Sequence, residues 1–556
     1  MRRQRLLLFD TIVLGVVGAL GAQLFMYLLH LAQSLFLTYL AGYTLPDLGS
    51  GGSVTAQIIG SHWLWLVPVA TTLGGLISGL LVYSIAPEAE GHGTDTAVRA
   101  FHRSAGLIRA RVTPLKMVAS AITIGSGGSA GREGPTALFS AGVGSIYAGV
   151  LHRSEHERRT LVLVGMAAGL SAIFRSPIGT AIFAVEVLYG DMQFEADALI
   201  YTMLGSIVAY AVNGYFVGWQ PLFHVPAGLQ VPGVTEYAWY VVLGLSGGVV
   251  GALLPNAFYG IRDAFHKIPI PPHVKPAIGG LGVGIIALVL PQVLGGGYGW
   301  IQKAINGQMT LALLGVLIFA KLIAFGLTVS SGGSGGVFAP SLFVGAMVGG
   351  FLGHVFHQPP AAFAVVGMAA VFGSAARIPV ATLLMVTEMT GGYSLLAPAA
   401  LAVTLAFLLQ QRLTTRLKYR SLYEAQVPQP TDSPVHKMEH LKMALKMLEE
   451  RRSSVEAEKI EHVNLMALLE SGIPIDLPDG KRLVTGILST DSPCAGEPMK
   501  KACFIEENVD WEIVAVLRDH HLVLPHPNSL LEAEDQLLVL VPREYEEELR
   551  KHLGSV

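Results

Sequence analysis

The sequence predicts an all-α polytopic membrane protein with an inverted internal repeat, followed by a small α+β cytosolic domain. Three observations carry this. Charged residues make up only 14% of the 556 positions, against about 25% in ordinary soluble domains, and they become frequent only after Thr414. Two stretches roughly two hundred residues apart almost repeat each other: 126–135 read SGGSAGREGP and 331–340 read SGGSGGVFAP. The end of the chain changes to short apolar runs of strand length, bounded by turn residues.

The chain opens Met-Arg-Arg-Gln-Arg and enters the apolar run Leu6–Leu40. That run is too long for a secretory h-region, and no small-residue cleavage site follows a short one. It reads as a first membrane helix with its basic end in the cytoplasm. Leu64–Ile85 is a second such run. Each exceeds the roughly 20 residues that cross a hydrocarbon core of about 30 Å. A membrane domain is expected over 1–425. A linker with an amphipathic helix at 434–452 is expected over 426–480, and a regulatory domain over 481–556. In the last, Arg482–Leu488, Trp511–Leu517 and Gln536–Val541 read as strands and Asp479-Gly480 as a turn.

Within the membrane domain a second repeated pair follows the first in the same order. Residues 165–187 read GMAAGLSAIFRSPIGTAIFAVEV and 367–389 read GMAAVFGSAARIPVATLLMVTEM. Arg175, Pro177 and Glu186 match Arg377, Pro379 and Glu388. Two pairs at nearly one offset mean a duplicated membrane half. The Gly-rich breaks at 125–131 and 332–336 interrupt apolar segments at equivalent points. Irregular backbone survives at membrane depth only where protein covers it or it lines a cavity, so these breaks point to a binding site. Each break leads into a Pro-containing apolar run that reads as a helix start. Unpaired N–H groups and the positive end of the helix dipole make such a start an anion site. Two of them, meeting near the midplane, would hold an anion by partial charges and release it easily. The copies differ at Glu133, which faces Phe338 in the alignment. An acid at membrane depth is a functional residue by default.

GREGP followed by GGVFAP resembles the CLC family of chloride channels and chloride/proton antiporters, over about residues 1–425. The resemblance implies a homodimer with one chloride path per subunit. It implies that Glu133 is the gating glutamate, that backbone amides of Gly131, Arg132, Gly134, Val337 and Phe338 surround the anion, and that Tyr423 forms the inner gate. The family's GSGIP segment reads Gly91-His92-Gly93-Thr94-Asp95 here, so His92 stands where a serine usually donates to the anion. Either His92 is a pH-sensitive part of the anion path, or the amides at Gly93 and Thr94 serve the anion and the ring points elsewhere. Val187 stands where exchangers usually carry an internal proton-relaying glutamate. That favours gated, channel-like passive conduction. The alternative is a chloride/proton antiporter with a different internal proton route. Glu186, Glu388, Arg175 and Arg377 read as structural, because both copies keep them.

Residues 482–553 resemble the TrkA-C (RCK C-terminal) module, on Ser492-Pro-Cys-Ala-Gly496, Ile513–Arg518, Leu522–Pro525 and Leu531–Leu540. Such modules dimerise, and some bind a cyclic dinucleotide between protomers. The tail is thus expected either to take that ligand or to cap a dimer without one. A ligand sensor or regulatory subunit of ion homeostasis is the competing class, disfavoured because no TVGYG-type filter is present. The two cysteines, Cys494 and Cys503, form no CxxC, which leaves no disulfide framework or metal site and suits a reducing cytosol. No GxSxG or HExxH pattern supports an enzyme. The net charge of −3 gives no case for nucleic acid. No cofactor is expected beyond bound chloride. The location implied is the inner (plasma) membrane, multi-pass, with both termini cytoplasmic.

Overall fold

The computed structural model describes residues 2–48, 53–55, 57–60, 64–226 and 233–435. In the tail it describes 475–476, 481–489, 492, 494–497, 511–518, 521–523 and 530–554. The expected helix at 434–452 and the Asp479-Gly480 turn fall almost wholly outside these. The chain divides into two compact units, Met1–Pro430 and Thr431–Val556. The first runs slightly past the expected boundary because Val427 is tied in: its N–H donates to Leu188 O (3.2 Å) and its carbonyl accepts from Gly190 N (2.8 Å).

The first unit is helical, as the composition predicts. Its first half holds α1 (Arg2–Gln33), α2 (Val67–Ile85), α3 (Thr94–Arg103), α4 (Val112–Gly125), α5 (Glu133–Val150), α6 (Glu155–Phe174), α7 (Pro177–Glu186) and α8 (Ala196–Val217). A small hairpin, β1 (Tyr43–Thr44) with β2 (Ile58–Ile59), lies between α1 and α2. The second half holds α9 (Tyr237–Lys267), α10 (Lys275–Val289), α11 (Tyr298–Ile305), α12 (Leu311–Ser330), α13 (Phe338–Val355), α14 (Pro360–Ala375), α15 (Pro379–Thr390) and α16 (Leu396–Thr414). Among the described residues, seven helices are long and apolar enough to cross a membrane, and five more are apolar but shorter. The short ones include α4, α7 and α15, which flank the repeated motifs and end inside the protein.

The two halves repeat each other down to backbone strain. The left-handed non-glycine residues His152 and Arg175 recur as His357 and Arg377. Positive-φ glycines at 91, 93 and 127 recur at 295, 297 and 332. Helices α5, α6, α13 and α14 are buried on nearly all sides, which is why their sequences are apolar without a polar face. Close approach of α13 to α14 requires small residues: a Cβ on Gly345 would come 2.5 Å from the carbonyl oxygen of Gly367.

Each half also caps the other. Glu186, at the end of α7, accepts from the N–H groups of Val380 (3.2 Å) and Ala381 (2.6 Å) at the start of α15. Glu388, near the end of α15, accepts from Ile178 (3.1 Å) and Gly179 (2.9 Å) at the start of α7, and from Ser176 Oγ (2.6 Å). The acids thus satisfy the free donors of the partner helix, in line with their reading as structural. Arg175 donates to Gln220 O (2.9 Å) and Arg377 to Thr414 Oγ1 (2.9 Å).

The second unit contains an antiparallel sheet in the order β3 (Ile475–Asp476), β4 (Lys481–Leu488), β7 (Gln536–Pro542), β5 (Glu512–Arg518), β6 (His521–Val523), with β8 (Leu553–Gly554) also pairing β4. A short helix, α17 (Glu546–Leu549), precedes β8. The three expected strands are present, each within a residue of its expected ends. Val484, Val516, Leu537, Val539 and Leu549 form the core.

Candidate anion site

The repeated Gly-rich segments meet. Gly131 N–H donates to Gly336 O and Gly336 N–H donates to Gly131 O, both at 2.7 Å. This antiparallel bridge brings the first turns of α5 and α13 together, with their donors and positive dipole ends converging. The Gly131 amide is therefore engaged with the partner repeat, and the donors left for an anion lie further along, in the first turns themselves.

A third segment closes the ring. The loop before α3 pairs with the second Gly-rich segment: Gly335 N–H donates to Gly91 O (3.2 Å), and Ser334 Oγ donates to Ala89 O (3.1 Å). Fully buried Lys116, on α4, donates to Ala89 O (2.9 Å) and Gly91 O (2.7 Å). Its counterpart Lys321, on α12, donates to Val293 O (2.8 Å) and Gly295 O (2.7 Å) before α11. These lysines satisfy loop carbonyls that would otherwise be buried unpaired. The sequence reading missed them, although Lys116 and Lys321 stand at the same distance ahead of the two SGGS segments.

Glu133 begins α5 and is only 1% exposed. Its carboxylate turns back between the two helix starts, approaching the backbone N–H groups of Glu133 and Ala339, but neither oxygen reaches hydrogen-bond geometry. Gly131 provides the room, since a Cβ there would overlap Glu133 Oε2. The acid thus occupies the place where the helix starts would hold an anion.

Aromatic rings line the other side. Phe338 packs on Phe174 (4.4 Å between centroids) and Phe372 (4.2 Å). Phe183 lies between Phe338 (6.3 Å) and Tyr423 (6.4 Å). His92 touches Tyr423 (5.5 Å) and Phe258 (6.3 Å). The His92 carbonyl lies so close to α5 that a Cβ on Gly134 would collide with it. Gly93, with φ 84°, caps α3, a conformation that favours glycine. Val337 caps α13 and is 1% exposed. His92, Gly93, Glu133, Gly134, Val337, Phe338 and Tyr423 are thus brought into one site. Arg132 stands with its backbone at the N-cap of α5, while its guanidinium stacks on Tyr298 (4.4 Å) and lines a separate cavity of about 70 Å³.

Tyr423 is held by groups the sequence did not reveal. Asp95 Oδ2 and Oδ1 accept from the N–H groups of Glu424 and Ala425, both at 3.2 Å. Leu422 N–H donates to Ala375 O (2.9 Å), and Tyr259 donates to Leu422 O (2.7 Å). Beyond His92 and Asp95 opens a cavity of about 700 Å³, also lined by Arg99, Arg262 and Glu424. Val187 is completely buried and apolar.

A model of the voltage-gated chloride channel family matches residues 74–411, and a TrkA-C domain model matches 487–554. The H(+)/Cl(-) exchange transporter ClcA of Cronobacter sakazakii is 30% identical over 382 residues, 66% of this chain and 81% of that protein. A putative chloride channel protein ClcB-like of Ralstonia nicotianae is 29% identical over 401 residues, 70% of this chain and 90% of that protein. The crystal structure of a slow cyanobacterial Cl-/H+ antiporter superposes with a TM-score of 0.65 at 23% identity, covering 74% of this chain and 95% of that one. A CLC-type fluoride/proton antiporter gives 0.64 at 22% identity, covering 76% and 98%. At these identities the solved structures speak for the fold alone. With the matched span, the paired helix starts and the terminal sheet in agreement, the chain belongs to the CLC family of anion transporters and carries a TrkA-C domain at its end.

Proposed function

We propose that the protein exchanges chloride for protons, with Glu133 as the gate and as the outer proton carrier. One observation carries this: the Glu133 carboxyl group lies buried and unpartnered between the starts of α5 and α13. As a carboxylate it competes with chloride for those donors. Protonation removes the competing charge and frees the place. Tyr423 and Phe258, each 2% exposed, and His92 at 7% close the opposite side. A site closed at both ends suits alternating exchange better than an open pore. The relatives named as exchange transporters agree with this reading.

Gated passive conduction is the second reading. Valine at 187 favours it, because an apolar side chain there carries no proton. Reconstituted protein under a chloride gradient separates the two. Proton uptake against its own gradient supports exchange, whereas chloride flow that never moves protons supports a conductive pathway and overturns exchange. Glu133→Gln should abolish the pH dependence of chloride flux in either case. The rest of the assembly follows the family: a homodimer in the plasma membrane with cytoplasmic termini, acting as a transporter and not an enzyme. The TrkA-C domain is a candidate for a cyclic dinucleotide. Isothermal titration with cyclic di-AMP tests it, and no heat at high micromolar ligand removes it.

A further inference from the structure

The exchange reading leaves open how a proton leaves Glu133 toward the large cavity, and the inference here rests on that reading. The ionisable groups around the path can be taken in turn. Lys116 holds two carbonyls through Nζ and as an ammonium has no lone pair. Asp95 has both oxygens engaged with the N–H groups that carry Tyr423. Tyr423 is a phenol and a poor proton acceptor near neutral pH. Glu186 caps α15. On the cavity wall, Arg262 pairs with both oxygens of Glu424 (2.5 and 2.9 Å), and Glu90 accepts from Tyr83 (2.5 Å). One group remains. His92 Nε2 lies 3.2 Å from Asp95 Oδ2, while its Nδ1 is buried without any hydrogen-bond partner.

A carboxylate can only accept, so that geometry favours the tautomer with the proton on Nε2. With the Nε2 proton directed at Asp95, the lone pair resides on Nδ1. The ring is 7% exposed and lines the cavity of about 700 Å³, and its own carbonyl packs on the first turn of the helix that begins with Glu133. We propose that His92, oriented by Asp95, is the proton relay between Glu133 and the cavity. The O–H bond of the Glu133 carboxylic acid breaks and an N–H bond forms at His92 Nδ1, directly or through water in the emptied anion place. The imidazolium then releases its Nε2 proton to cavity water, with Asp95 holding the ring in place. A ring flip then turns the remaining N–H back toward Asp95 and restores the starting tautomer. No electron changes hands, and the one proton delivered equals the one taken. The unpartnered carboxyl of Glu133 and the unpartnered Nδ1 of His92 are the two ends of this transfer.

The test measures chloride and proton flux together in vesicles containing the full chain, for the unmodified protein, His92→Gln, His92→Ser and Asp95→Asn. Glutamine keeps polarity and similar bulk but cannot carry a proton at neutral pH. His92→Gln should lower the proton-to-chloride ratio at least tenfold while chloride still moves. His92→Ser, smaller and equally unable to relay, should do the same and serves if the glutamine variant does not reconstitute. Asp95→Asn, acting through tautomer and orientation, should shift the pH profile of proton flux. If His92 is merely structural, both fluxes fall together and the ratio stays at the unmodified value, which overturns the relay while exchange survives. If the unmodified protein moves no protons, the exchange reading falls and the relay falls with it.

Discussion

Gly131→Ala is the sharpest perturbation of the gate that leaves its chemistry untouched. Gly131 is not among the left-handed glycines, so alanine suits its backbone. What it lacks is space. The new methyl would overlap Oε2 of Glu133, while its next neighbours, Ala339 N and Cβ at 3.0 Å, need to yield only slightly. The carboxylate has no hydrogen bond to hold it in place, so it is the part that moves. Forcing one carbon into packed space costs about 1–3 kcal/mol. At about 1.4 kcal/mol per decade, the seated population of Glu133 should fall roughly 5- to 150-fold. Chloride efflux from vesicles at neutral pH should rise toward the acid rate by a comparable factor until opening ceases to be limiting, and the pH profile should flatten. Folded, monodisperse Gly131→Ala protein with unaltered neutral flux and an unaltered pH profile would refute the reasoning.

The remaining predictions concern the scaffold. Glu186→Ala and Glu388→Ala strip a buried and a half-buried acceptor, respectively, from two helix N–H groups each. Each should cost about 1–3 kcal/mol, visible as lower thermal midpoints in detergent. Lys116→Met leaves Ala89 O and Gly91 O without their lysine. It should weaken chloride affinity by calorimetry as well as stability, because that loop carries His92. Lys321→Met frees an equivalent pair of carbonyls and should lower stability with a smaller effect on chloride. In the tail, burial alone would raise the carboxyl of Glu546, but Arg482 and Arg550 hold it below its ordinary value. A depressed folded value gives stability that is present above the unfolded value, near 4.3 for a glutamate, and lost as pH falls through the folded one. Thermal melts of the unmodified chain and Glu546→Gln should therefore converge on acidification and diverge toward neutrality.

The fold and the buried acid between the two helix starts were legible because both rest on local sequence. The SGGS segments announce broken helices, the Pro and Gly positions announce helix starts, and short apolar runs bounded by turn residues announce strands β4, β5 and β7. What was not legible depends on distant partners. Nothing near Asp95 in the sequence says that it clamps the backbone after Tyr423. Nothing near Arg132 says that its guanidinium turns away onto Tyr298. The engagement of Gly131 by Gly336 was implied by the repeat but not visible in either copy alone. His92 was visible as a departure from the family pattern, yet its orientation depends on Asp95 and on rings from two other segments, Phe258 and Tyr423.

The duplication also separates residues that hold the protein together from those that move ions. Two of the residue pairs that both copies keep do the same job in each. Lys116 and Lys321 each bind two loop carbonyls, and Glu186 and Glu388 each cap the opposite helix. Three of the positions where the copies differ lie at or beside the candidate anion site. Glu133 opposes Phe338. In the loops held by the lysines, Gly91 and Gly93 align with Gly295 and Gly297, so His92 aligns with Gly296 and Asp95 with Gly299. A site built only from the shared residues would be symmetric, with an identical barrier on either side and nothing to tell one face of the membrane from the other. Directional gating needs different groups at the two ends. The alignment puts an acid at one and a histidine with its own acid at the other, on a backbone that is otherwise the same twice. Substitutions at the shared positions should therefore act first on stability, and those at the unshared positions first on coupling.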